Sequence, residues 1–140
     1  MDSKKIIEGL NRMLEQEHAC AIRYATHAAV VTGPYAESVA ARLKEIAGDE
    51  RDHAEKLRDR ITALGGTPSM QVATGDLKPA VTLSEILKIN MAEEHGAISG
   101  YTEILEGIEP ANVILHHTIR EIIRDEQEHL EELETLQSPK

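Results

Sequence analysis

There is no tryptophan and no phenylalanine in these 140 residues, and only three tyrosines. A core without large aromatic rings must be filled by Val, Ile, Leu, Met and Ala, which suits helices packed closely along their lengths. Cys20 is the only cysteine, which excludes an intrachain disulfide and a four-cysteine metal module. No apolar run approaches the roughly 20 residues needed to cross a bilayer. The opening Met1-Asp2-Ser3-Lys4-Lys5 leads into an amphipathic pattern without the apolar stretch of a signal peptide. A cytoplasmic protein with no membrane role is expected. Basic residues are also outnumbered: 15 Lys and Arg against 25 Asp and Glu leave a formal net charge of −10. No basic patch or tail is offered to a nucleic-acid partner. Such a charge favours solubility and also attracts cations.

What is present is helical periodicity, punctuated by glycine and proline. One domain over 1–140 is expected from the length. The first helix is expected from about Ser3 to Thr32, with Leu10, Met13, Leu14, Cys20, Ala21, Tyr24 and Ala28 at helical spacing. Gly33-Pro34 breaks it, with Pro34 placed in the first turn of a second helix that reaches about Leu64. Gly65-Gly66 and Pro68 stop that helix. No helical period follows until Thr82-Leu83-Ser84-Glu85, which reads as a capping box opening a third helix that ends before Gly107. Pro110 is expected to open a fourth helix ending at Ser138-Pro139. Short turns make helices one and two, and helices three and four, antiparallel neighbours. The stretch of about seventeen residues between helices two and three is long enough, if extended, to cross the bundle end to end.

An ionised carboxylate in the middle of an apolar stripe is costly unless compensated, and each helix carries one. Glu17 is flanked at helical spacing by Leu10, Met13, Leu14, Cys20, Ala21 and Tyr24, and Glu50 by Leu43, Ile46, Ala47, His53, Ala54 and Leu57. Glu94 has Leu87, Asn90, Met91, Ala97, Ile98 and Tyr101, and Glu126 has Ile119, Ile122, Ile123, His129, Leu130 and Leu133. Each glutamate therefore faces inward. Two carry a histidine one turn on, in Glu50-Arg51-Asp52-His53 and Glu126-Gln127-Glu128-His129; the other two carry Tyr24 and Tyr101 seven residues on. This alternation is an internal repeat, with 33 residues from Glu17 to Glu50 and 32 from Glu94 to Glu126. A single Glu-x-x-His on a charged helix is commonly a surface accident. Four central glutamates and two histidines with matching spacings, one glutamate per helix, point to a two-metal site. Oxygen and nitrogen ligands without thiolate favour iron or manganese, and four carboxylates balance two divalent cations.

Glu93 competes with Glu94: a spacing of 33 to Glu126 favours it, whereas the apolar stripe and the Glu-His…Tyr match favour Glu94. Tyr24 and Tyr101 are candidates to donate hydrogen bonds to the ligand carboxylates or to supply an electron. His18 and His95 lie about 100° round the helix from the glutamates that precede them, and His27, His116 and His117 are expected at the surface.

At these residues the sequence resembles the bacterioferritin branch of the ferritin-like di-iron proteins, over essentially its whole length. Leu10 to His27 resembles that family's first helix, and Ile122-Ile123-Arg124-Asp125-Glu126-Gln127-Glu128-His129 its fourth. The resemblance implies an all-α, antiparallel four-helix bundle of ferritin-like type with a long crossover between helices 2 and 3. It implies a ferroxidase centre holding two iron ions per subunit, manganese being the other candidate, bound by Glu17, Glu50, His53, Glu94, Glu126 and His129. Two of the carboxylates would bridge the ions, and His53 and His129 would bind one each. Fe(II) would be oxidised by oxygen or hydrogen peroxide, and the product stored in a shell-forming homo-oligomer built from two-fold dimers. The alternative is a non-storing di-iron or di-manganese oxidase or peroxidase of the rubrerythrin-like bundle type, without that group's cysteine-ligated module. Haem is not expected where Arg51 replaces the family's haem methionine, and a channel-lining fifth helix of the kind found in twenty-four-subunit cages is not expected after the fourth. Isoleucines such as Ile89 and Ile104 are expected to be left over on the bundle's flank and to drive assembly.

Overall fold

The computed structural model describes residues 2–137. Four helices account for most of them: α1 (Ser3–Val30), α2 (Ala36–Ala63), α3 (Leu83–Glu106) and α4 (Val113–Gln137), with a one-turn 3-10 helix at Thr74–Asp76. Among the described residues no helix is long and apolar enough to cross a membrane. The expected stop at Ser138-Pro139 lies outside the described residues.

Local chemistry sets most of the helix ends. The Asp2 side chain accepts from the Lys5 N–H and starts α1. The Gly33–Ala36 segment is a tight turn closed by the Ala36 N–H on the Gly33 carbonyl at 3.2 Å, with Tyr35 at φ 69°. Pro34 therefore occupies the second position of this turn, not the first turn of α2 as expected; its fixed φ suits both places. Pro110 behaves in the same way. A turn from Glu109 to Asn112 is closed at 2.9 Å, and α4 begins only at Val113. At the end of α2, Gly65 at φ 88° lets the Gly66 N–H reach the Ile61 carbonyl at 2.9 Å and the Gly65 N–H reach that of Thr62 at 3.0 Å. This left-handed cap satisfies two of the helix's last carbonyls. At Thr82 the side chain accepts from the Glu85 N–H at 3.2 Å and donates to the Glu85 carboxylate at 2.8 Å, so both expected partners of the cap are engaged.

The segment between α2 and α3 runs the length of α1, pinned at successive turns. Asn11 donates to the Thr67 carbonyl and accepts from the Ser69 N–H, and the Ala73 N–H donates to the Glu15 carbonyl. Further along, Arg23 holds Asp76, and the Thr32 N–H meets the Val81 carbonyl. The chain has thus been carried from one end of α1 to the other before α3 begins. α3 consequently runs antiparallel to α1, and α4 returns, which is the single-crossover bundle that the sequence implied.

The apolar core lies in two clusters. One contains Leu10, Leu14, Leu57, Ile61, Tyr101, Ile119 and Ile122; the other contains Tyr24, Val39, Leu43, Ile46 and Ile86. Each such aliphatic side chain contributes roughly 1.5–3 kcal/mol on burial. Along α1, α2 and α3 the residues of the two clusters are separated by Glu17, by Glu50 and His53, and by Glu94, so a polar layer divides the core. Ile104 is not left over on the flank: it is 4% exposed and packs over Gly9, where an added Cβ would lie 3.2 Å from its Cγ1. Ile89 is partly buried against the second cluster. The exposed apolar residues are elsewhere, among them Ile22 and Val30 on α1, Leu77 and Val81 on the crossover, and Val113 and Ile114 at the start of α4.

Candidate metal centre

All six residues singled out from the sequence converge at the centre of the bundle, none more than 2% exposed. One potential ligand atom from each of Glu17, Glu50, His53 and Glu126 lies within 4.8 Å of the others, and the same holds for Glu50, Glu94, Glu126 and His129. Glu50 and Glu126 belong to both sets. The His53 Nδ1 is 3.3 Å from Glu17 Oε2, 3.2 Å from Glu50 Oε1 and 3.5 Å from Glu126 Oε1. The His129 Nδ1 is 3.2 Å from Glu126 Oε1 and 3.4 Å from Glu94 Oε2. Glu93 stands apart from both sets and pairs with Lys78 at 2.6 Å.

A surrounding frame holds these side chains in place. The Tyr24 hydroxyl donates to Glu94 Oε2 and the Tyr101 hydroxyl to Glu17 Oε2, each at 2.6 Å. Each tyrosine therefore serves the glutamate of the opposite helix, as an approximate two-fold between the helix pairs requires. The histidines are crossed in the same manner. His53 Nε2 contacts Asp125 Oδ2, and His129 Nε2 contacts Asp49 Oδ2, each at 2.9 Å. An aspartate can only accept, so Nε2 donates to it and Nδ1 faces the central carboxylates. Sequence reasoning missed both aspartates. Their signal was an Asp directly before the glutamate of each Glu-x-x-His, at Asp49-Glu50 and Asp125-Glu126.

A second buried polar group was also missed. Arg23, 2% exposed, donates through Nε to Asn90 Oδ1 at 2.8 Å and through Nη2 to the Cys20 sulfur at 3.4 Å. Its guanidinium lies 5.4 Å from the centre of the Tyr24 ring. His27, expected at the surface, is 1% exposed. It donates from Nε2 to the Lys78 carbonyl at 2.7 Å and accepts from Asn90 at 3.0 Å. The crossover covers this part of α1, so a histidine outside the apolar stripe is nevertheless enclosed. His117 and His95 are exposed, and His116 is partly buried.

Electrostatics mark the six as a strained group. Burial, reinforced by the Glu50 charge, pushes Glu17 up to about 7. The same two causes raise Glu126 well above the ordinary carboxylate range, and burial raises Glu94. Burial also opposes charge on Glu50, but His53 and Glu126 outweigh it and hold that carboxyl low. Burial would lower His53, yet the Glu17 and Glu50 carboxylates lift it to about 11. Glu94 and Glu50 similarly lift His129 to about 9. Even so, Glu17 Oε1, Glu94 Oε1, both oxygens of Glu50 and of Glu126, and both Nδ1 atoms have no aligned hydrogen-bond partner. Each unsatisfied buried group costs about 1–3 kcal/mol. A donor set of carboxylate oxygens and imidazole nitrogens fits two hard or borderline divalent cations. Burial pushes the Cys20 thiol well above its ordinary value, and its sulfur belongs to neither ligand set.

Comparison with known proteins gives the family and the fold. The profile of the ferritin-like domain family matches residues 7–138. The bacterioferritin of Desulfovibrio desulfuricans is 33% identical over 96% of this chain and 75% of its own. Among solved structures, a ferritin-like diiron-carboxylate protein of Bacillus anthracis superposes with a TM-score of 0.91 at 32% identity, covering 99% of this chain and 100% of that one. The dodecameric thioferritin of Bacteroides fragilis, a bacterioferritin-related protein, does so with a TM-score of 0.89 at 28% identity, covering 96% and 85%.

Proposed function

The chain belongs to the ferritin-like domain family, and from that premise we propose that it is a di-iron ferroxidase, oxidising Fe(II) with oxygen or peroxide and storing the product inside a shell-forming homo-oligomer. The observation that carries this reading is the pair of overlapping ligand sets, sharing Glu50 and Glu126, whose inward-facing atoms have no aligned hydrogen-bond partner. Glu17 and His53 would hold one ion, Glu94 and His129 the other, and Glu50 and Glu126 would span both. Manganese fits the same donors.

When bound, the pair supplies one electron from each Fe(II), so that a peroxide O–O bond breaks and two protons complete two waters. The protein's own part is positioning. Tyr24 and Tyr101 occupy one oxygen of Glu94 and of Glu17, leaving Oε1 of each for the ion. Asp125 and Asp49 fix the ring orientation and proton of His53 and His129. The apolar clusters above and below the layer restrict bulk water. A cytoplasmic setting, which keeps the single thiol reduced, suits the reading.

Anaerobic titration should saturate at about two Fe(II) per chain; saturation below one would overturn the assignment. Native mass and the iron retained after aerobic loading address storage. Retention far beyond the two-ion site in a large assembly supports it, whereas loss of all product iron would favour the non-storing oxidase.

A further inference from the structure

The approximate two-fold between the helix pairs can be followed outward from the six central residues, and behind the two tyrosines it breaks down. The repeat that sets Glu94 against Glu17 also sets Tyr101 against Tyr24, Gly100 against Arg23, Ile104 against His27 and Asn90 against Met13. Behind Tyr101 these places are apolar: a Cβ added at Gly100 would lie 2.9 Å from the Met13 sulfur, and Ile104 is buried. Behind Tyr24 the same places carry Arg23, Asn90 and His27, joined by hydrogen bonds. Two tyrosines with the same task, each donating to one central glutamate, therefore stand in different surroundings.

Arg23 is the source of the difference. Its guanidinium donates to the Asn90 amide oxygen, the Asp76 backbone carbonyl and the Cys20 sulfur, and none of these is a carboxylate. Glu93, on the facing helix, is engaged by Lys78 at 2.6 Å. The Arg23 charge is thus hydrogen-bonded without being neutralised, and its burial removes it from the screening of water and salt. It lies 5.4 Å from the centre of the Tyr24 ring, and the Tyr24 hydroxyl is 2.6 Å from Glu94 Oε2. A cation so placed draws charge from the phenol and strengthens its O–H as a donor. Glu94 is then less able than Glu17 to give electron density to an ion. Position along the helices acts in the same direction. Asn90, which Arg23 holds, is about one turn from Glu94, whereas Arg23 itself is nearly two turns from Glu17.

Resting on the two-iron reading of the six residues, we propose that Arg23 is a positioning residue that acts through Tyr24 to make the two ion positions unequal, so that the Glu17–His53 position fills before the Glu94–His129 position. Oxidation of Fe(II) as a pair needs both positions occupied. The weaker one therefore sets the Fe(II) concentration at which the pair forms, and a buried side chain outside the ligand set controls when the centre becomes competent. Asn90 keeps the guanidinium in place, accepting from Arg23 and donating to His27. A purely structural Arg23, tying the crossover to α1 through the Asp76 carbonyl, would alter stability and leave the two positions alike.

The probe is Mn(II), which suits the same donors and can be supplied without an oxidant. Crystals given less than one Mn(II) per chain, measured by anomalous scattering, report the occupancy of each position separately. In wild type the Glu17–His53 position should be fuller than the Glu94–His129 position by roughly tenfold. Arg23→Gln keeps a donor and removes the charge, and it should bring the two occupancies within roughly twofold of each other. Arg23→Lys keeps the charge and should preserve the wild-type ratio. Equal occupancies in wild type, or an unchanged ratio in Arg23→Gln, would overturn the proposal. So would Arg23→Lys behaving like Arg23→Gln, since the charge would then not be the agent. If Arg23→Gln does not fold, Tyr24→Phe and Tyr101→Phe carry the test. Freeing Glu94 of its donor should raise occupancy at its own position, and freeing Glu17 should raise occupancy at the other, so the ratio moves in opposite directions. A shift of the same sign in both refutes the role of Tyr24. If excess Mn(II) leaves both positions of wild type empty, it is the two-ion premise that falls, a result distinct from all of these.

Discussion

At the scale of single residues, the centre is a place where protons stand in for metal. At pH 7 the protein without metal keeps protons on His53 and His129, lifted to about 11 and about 9, and on Glu126, raised well above its ordinary value by burial and Glu50. Metal ligands must be deprotonated, so binding expels these protons. The sign follows: affinity strengthens as pH rises from 6 to 8, because fewer protons remain to be displaced. Titration with Mn(II) in weak buffer containing an indicator dye should release about three protons per chain at pH 7; release of less than one would contradict the scheme. The same protonation makes Glu126→Gln a close mimic of the metal-free state. Its thermal stability without metal should match wild type to within about 1 kcal/mol. Mn(II) should then raise the melting temperature of wild type and much less that of the variant. Glu131→Ala, at an exposed position on the same helix, should leave metal stabilisation intact. Equal stabilisation of Glu126→Gln and wild type would argue that the cluster is an ion-pair network.

The elements are held by glycines whose roles differ. An added Cβ at Gly66 would lie 2.7 Å from Ile7 Cγ2 and 3.1 Å from Ile61 Cγ2, both on β-branched side chains with little freedom to move. Gly66→Ala should therefore destabilise by about 1–2 kcal/mol in urea unfolding. At Gly100 the neighbour is the Met13 sulfur at 2.9 Å, the flexible end of a long side chain. There the helix preference for alanine, about 1 kcal/mol, offsets the crowding, and Gly100→Ala should be close to neutral. A larger loss at Gly100 than at Gly66 would show that α1 and α3 are packed more rigidly than these contacts indicate. The crossover is likewise an element with a function. By lying along α1 it encloses Arg23 and His27 and brings α3 to the correct end of the bundle.

For the whole molecule, assembly is the open quantity that the surface addresses. Ile22 at 47% exposure, Val81 at 50%, and Val113 and Ile114 at 64% and 60% form apolar surface that one chain does not cover. Light scattering at micromolar concentration should give a mass of several chains, with closed symmetry built on two-fold dimers. A strictly monomeric species would count against both the oligomer and the storage reading.

The sequence by itself determined the helices, their inward stripes and the six central residues, because each of these is a property of one helix read at a period of 3.6. Glu17, Glu50, Glu94 and Glu126 are conspicuous for lying on apolar stripes, and that is visible without knowing what they face. Where a feature depends on a neighbouring element, the sequence was silent. The crossed pairs His53–Asp125 and His129–Asp49, the enclosure of His27 and the burial of Ile104 each join residues of different segments. Pro34 and Pro110 were placed too far into their helices because proline's φ suits a turn and a first helical residue equally.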